Sequence, residues 1–176
     1  ITTEDPFSPK IFDAFITKYN SNGTKGWTRI FGSHPNGPLD RLEYDPYLFS
    51  ETDFDPSIEY SNEDSANAIT TGSDGSIYIT GFTRGALDDQ IYNGGYSDAF
   101  ISKFKADGSK IWTRLVGSSG EDIAKAITID SEGYIYITGM TGGDIDGQTF
   151  NGIYRDAFIS KFKADGSKEW TRLLGS

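Results

Sequence analysis

The sequence predicts an all-β chain of four-stranded antiparallel β-propeller blades, about two and a half of them, in an incomplete ring. Three observations predict it: a 58-residue internal repeat, short apolar runs broken by Gly-containing turns, and a change from small to bulky side chains across each repeat.

The repeat sets the organisation. DAFISKFKADGSKIWTRLVGS from Asp98 returns 58 residues later as DAFISKFKADGSKEWTRLLGS from Asp156, and a third copy, DAFITKYNSNGTKGWTRIFGS, starts at Asp13. EDSANAITTGSDGSIYITGFT from Glu63 returns at the same 58-residue spacing from Glu121. Asp13 and Asp98 are 85 residues apart, so one loop, between Gly32 and Glu63, carries 27 extra residues. The chain divides accordingly into the outer strands of a first blade (1–32), a loop insertion (33–62), a second blade (63–117) and a third (121–176).

Each full unit reads as four strands. In the last copy these are Ile123 to Asp130, Tyr134 to Gly139, Ala157 to Lys163 and Glu169 to Leu174. Glu132-Gly133 and Asp165-Gly166 close the hairpins, because glycine supplies the positive φ that such turns require. Ala66 with Ala68, and Ala124 with Ala126, are expected on one side of the innermost strand, where a ring axis is crowded. Tyr78, Phe100, Phe104 and Trp112 supply the bulk that fills the widening gap between blades. Two and a half blades do not close a ring. Further blades are therefore expected from a longer polypeptide, or from other copies in a homo-oligomer, since an open blade exposes strand edges and apolar surface.

Composition limits the function. Of 176 residues, 36% are hydrophobic and 14% aromatic, enough for a packed core. A net charge of −10 argues against a nucleic-acid groove and against charge-driven docking on anionic lipid. There is no cysteine, hence no disulfide, thiolate metal site or cysteine nucleophile. No run of 18 apolar residues suggests membrane insertion, and the start at Ile1 reads as that of a mature or excised piece.

These residues resemble the bacterial β-propeller repeat called SBBP. Its units read Asp-Ala-Phe-hydrophobic-x-Lys, x-Gly-x-x-x-Trp, Asp-x-Ala-x-x-Ile and Gly-x-hydrophobic-Tyr-hydrophobic-x-Gly, matched here over 13–32 and 63–176. The version with GDIDGQTFNG between second and third strands is similar to repeats of large secreted or surface proteins of cyanobacteria and other bacteria. The resemblance implies a propeller fold, an extracellular setting and no established catalytic residues. The chain departs from the pattern in the insertion and at Ala86, where the next copy has Asp144. The Asp-Gly-Ser-Lys-x-Trp segment is also similar to the tryptophan-docking motif of quinoprotein propellers, which implies that Trp27, Trp112 and Trp170 aim at a neighbouring blade, without implying a quinone.

Function is expected on the face where second-to-third-strand loops and the insertion emerge. The insertion mixes acids and aromatics, and Asp40, Tyr44, Asp45, Tyr47, Asp53 and Asp55 are its candidate binding residues for a protein or glycan partner. Asp144 and Asp146, with Asp88 as the equivalent of Asp146, are candidate calcium ligands because hard cations take several oxygens. The helix-loop-helix calcium motif itself is rejected, since its twelfth position would be Ile153. The aspartates that open strands in every copy, Asp13, Asp98, Asp156, Asp64 and Asp122, read as strand-end hydrogen-bonding groups, because a catalytic group is needed once. Lys18, Lys103 and Lys161 read as partners of nearby carboxylates. His34 is the only histidine and has no third group for a hydrolytic triad. The reading is a non-enzymatic binding or scaffolding module. Its alternative is a polysaccharide-acting enzyme using insertion carboxylates.

Overall fold

The computed structural model describes residues 13–32 and 63–175, and every statement of structure below refers to these. They form ten antiparallel strands and no helix, in three sheets. The first sheet pairs β1 (Ala14–Tyr19) with β2 (Lys25–Phe31). The second runs β3 (Asp64–Thr71), β4 (Ile77–Thr83), β5 (Asp98–Phe104), β6 (Lys110–Val116) in spatial order. The third repeats it with β7 (Ile123–Ile129), β8 (Ile135–Thr141), β9 (Asp156–Phe162) and β10 (Lys168–Leu174). These are successive blades with no closed ring.

The hairpins are built by their turn residues. Asp107 and Asp165 accept the backbone N–H of Ser109 and Ser167, at 2.9 and 2.8 Å, while Gly108 and Gly166 adopt φ of 81° and 84°. Asn22 serves Thr24 in the same way at 3.0 Å, so the Asn-Gly-Thr of the first copy is a hairpin turn.

One expectation fails. Ala66 pairs with Gly81 and Ala68 with Thr80, leaving Asn67 as an extra residue, and Lys125 is extra between Ala124 and Ala126. Opposed residues of an antiparallel ladder share a face and successive ones alternate. The β-bulge therefore puts the two alanines of each pair on opposite faces. It also fixes the facing glycines. A Cβ on Gly81 would lie 1.7 Å from the Ser65 carbonyl oxygen, and one on Gly139 would lie 1.9 Å from that of Ile123.

The core lies between blades rather than within one. Ala14, Ile16 and Phe31 pack on Ile77, Ile79, Leu87, Phe100 and Phe104. One repeat further, Ala99, Ile101, Val116 and Tyr78 pack on Ile135, Ile137, Ile145, Phe158 and Phe162. Each blade offers a face of one residue set and receives on a face of another, so the joint is directional.

Candidate functional site

The two seams between blades carry the most organised chemistry among the described residues, and they use it twice. From the first blade, Lys18 Nζ and Trp27 Nε1 donate to the Ala106 carbonyl at 3.1 and 3.3 Å, and Arg29 Nε donates to that of Gly108 at 3.1 Å. From the second, Lys103 Nζ donates to Ala164 O at 3.2 Å and Arg114 Nε to Gly166 O at 3.1 Å. The tryptophan ring closes each clamp: a Cβ on Gly108 would lie 2.8 Å from the Trp27 ring, and one on Gly166 would lie 3.0 Å from that of Trp112. Only glycine lets the turn slide under the indole. Arg29 and Arg114 also sit over their own tryptophans at 5.5 Å, which holds the guanidinium toward the turn.

The tryptophan aim is thus as expected for Trp27 and Trp112, and the lysine expectation is met in part, since Lys103 forms an ion pair with Asp74 and the Asp130 charge acts on Lys161. Lys103 has Asp74 only at 3.8 Å, and its hydrogen bond goes to a carbonyl of the next blade. The arginines went unnoticed in the sequence, although WTR recurs in all three copies.

At the last blade the clamp stands without a turn. Lys161 lies over Tyr134 at 3.6 Å, and Arg172 lies 5.7 Å from the Trp170 ring. A shallow cavity of about 400 Å³ opens there against Asp146, Lys168, Glu169, Trp170, Thr171 and Arg172. The opposite end shows the complement. Gly23, in the first-blade turn equivalent to Ala106–Gly108, would meet nothing within 4 Å. Phe15 and Tyr19, equivalents of the buried Phe100 and Phe104, are 67% and 63% exposed, and Leu174, equivalent of buried Val116, is 68% exposed.

The strand-opening aspartates gather at the loop face of the same seams. Asp98 Oδ2 accepts the Asn93 backbone N–H at 2.7 Å and its side-chain amide at 3.0 Å. Asp122 Oδ2 accepts the Ser118 N–H and hydroxyl at 2.6 and 2.8 Å. Both residues are fully buried. Burial pushes the Asp98 carboxyl up to about 6, with the Asp122 charge adding to it against the two Asn93 bonds. Burial likewise raises Asp122, against Thr141 and Ser118. A shifted buried carboxyl is a signature of catalytic sites. Here both carboxyls are covered, and the Oδ2 of each is held by donors of its own loop, Asn93 or Ser118.

The calcium candidates lie elsewhere. Asp88 and Asp146 adopt positive φ of 52° and 51°, and each bonds a lysine (Lys110 or Lys168) through one oxygen and a threonine hydroxyl (Thr113 or Thr171) through the other. Both oxygens are engaged in pinning the second-to-third-strand loop to the outer strand. Asp144 Oδ1 accepts the Phe150 N–H at 2.7 Å. Among the described residues no group of three or more acid, histidine or cysteine side chains gathers for a metal. The candidate binding residues Asp40, Tyr44, Asp45, Tyr47, Asp53 and Asp55 lie outside the described residues. The same loop face carries Tyr96 and Tyr154 at equivalent positions, 56% and 85% exposed, and its loops also expose Ile91 and Ile153, which are not equivalent to each other.

Residues 111–146 match the family model of SBBP, a beta-propeller repeat. That stretch starts in β6 and ends past β8, across the second seam. The chain is 29% identical over 173 residues, 92% of its length, to the regulatory protein FlaEY of Caulobacter vibrioides, and spans 16% of that protein. It is 33% identical over 140 residues, 76% of its length, to an uncharacterized WD repeat-containing protein of Acanthamoeba polyphaga mimivirus, and spans 9% of it.

Proposed function

We propose that this chain, built of SBBP β-propeller repeats, is a non-catalytic binding and scaffolding module that joins head to tail with further blades of its own kind and presents their loop face to a partner. One observation carries the reading: the Lys-Trp-Arg clamp that grips the next blade's turn at both internal seams stands open at Lys161, Trp170 and Arg172, while the matching turn Asn20–Gly23 and its apolar face are exposed at the other end. An interface repeated within the chain and unfilled at both ends is heterologous, the kind that closes rings or extends arrays. In the isolated chain the occupant is a second copy. The exposed Tyr96 and Tyr154, at equivalent positions of successive blades, support contact with a protein or glycan partner. An extracellular or cell-surface setting belongs to the same reading.

Light scattering on paired variants tests it. The wild-type chain is expected to exceed its 19.3 kDa mass as concentration rises. Arg172→Glu spoils only the clamp and Gly23→Val only the turn, so each alone is expected to stay monomeric. Mixed, they retain one good clamp and one good turn and form a heterodimer. Self-association that survives Arg172→Glu contradicts the reading.

A further inference from the structure

We propose that the buried carboxylates of Asp98 and Asp122 form an oxygen-lined site for a hard divalent cation of the calcium class, which ties one blade to the next at the loop face. Their Oδ1 atoms are buried and meet no hydrogen-bond partner, although each Oδ2 is fully used. Native proteins rarely leave such groups unmatched. The two carboxylates lie close enough for the charge of Asp122 to act on Asp98, and residues adjacent in sequence cover them. A Cβ on Gly117 would lie 2.1 Å from Asp98 Oδ1, and Ser118, next in sequence, binds Asp122. The first seam repeats the plan: a Cβ on Gly32 would lie 2.1 Å from Asp13 Oδ1, itself unpartnered, and 2.9 Å from Asp64 Oδ2. Gly175 stands in the same relation to Asp156, whose Oδ1 is also unpartnered.

A cation shared by the two carboxylates would match both Oδ1 atoms at once. The charges that bear on the pair are Asp122 on Asp98 and Glu121, itself paired with Arg155, on Asp122, while Arg84 acts with both aspartates on the neighbouring Tyr92. The hydroxyls of Ser118 and Thr141 stand beside Asp122, so the donors are oxygens, the set that calcium prefers. This site is distinct from Asp88, Asp144 and Asp146, whose carboxylates serve lysines, hydroxyls and a backbone N–H.

The test is calcium titration of the metal-free chain, read by thermal unfolding. Tm is expected to rise by about 4 °C or more and to saturate in the millimolar range. Asp98→Asn or Asp122→Asn is expected to abolish the rise, and Asp165→Asn, an exposed turn carboxylate, to keep it. A wild-type Tm that does not move, or a rise that survives both seam variants, overturns the proposal. Should the seam variants fail to fold, terbium luminescence on the wild-type chain decides: emission sensitised by nearby Tyr92 and displaced by calcium supports the site, and its absence overturns it.

Discussion

Asp98–Phe104 and Asp156–Phe162 share the sequence DAFISKF and occupy the same place in their blades, yet every residue of the first is buried, while in the second Ala157 is exposed and Ile159 and Lys161 are half-buried. The strand's own blade and the preceding one cover Phe158 and Phe162 as they cover Phe100 and Phe104. What differs is the next blade, which covers Ala99, Ile101 and Lys103 but has no counterpart over the third sheet. The alternate face of the strand, at Ala99, Ile101 and Lys103, is thus buried only by the next blade, and equal sequence does not mean equal stability.

Equivalent substitutions on the two strands give the largest expected difference. Ile101→Ala should cost about 4 kcal/mol and Ile159→Ala only about 1–2 kcal/mol, read by urea unfolding, because only the first leaves a cavity walled on both sides. Equal losses would break the comparison.

The covered seam also makes stability depend on pH. Asp98, raised to about 6, holds in the folded chain a proton that the unfolded chain has already released. Its contribution is complete below about pH 4, falls as pH rises to about 6, and is flat above, a loss of roughly 3 kcal/mol. The groups that bear on it are Asp122, Glu121 through Asp122, Tyr92 and Asn93. In metal-free buffer Asp98→Asn should remove that decline, measured as the difference between the two pH–stability curves.

A smaller contrast lies in the turns. Gly108→Ala forces a side chain at positive φ into the Trp27 ring and should cost about 2–3 kcal/mol, whereas Gly23→Ala, at a similar φ but in open space, should cost about 1 kcal/mol. The smallest effect is at the clamp lysines. Lys103→Met should lose about 1 kcal/mol with its bond to Ala164, and Lys161→Met under about 0.5 kcal/mol, both measured in dilute protein.

Much of this was legible in the sequence. The third-copy strands fall within one or two residues of those read from its turn signals, because Asp-Gly and Glu-Gly punctuate alternating apolar runs. The bulge at Asn67 and Lys125 was not, since it is a property of pairing with Gly81 and Gly139 rather than of the strand. Asp88 and Asp146 could be picked out as acids, but Lys110 and Lys168, which satisfy them, lie 22 residues away and share no local pattern with them. The clamp was half visible: the tryptophan and lysine repeats show, but a carbonyl acceptor on the next blade leaves no mark in side-chain identity. The insertion carboxylates lie outside the described residues, and their role rests on the sequence alone.

Hydrogen exchange on the two copies of DAFISKFKADGSK tests the central claim most directly, since identical sequence gives closely matched intrinsic exchange rates. Peptides extended through Ile111 and Glu169 tell the copies apart. In dilute protein, Asp98–Lys110 is predicted to exchange more slowly than Asp156–Lys168, and protection of the latter to rise toward the former as concentration increases and a second copy fills the clamp. Equal protection of the two segments at every concentration would contradict the account.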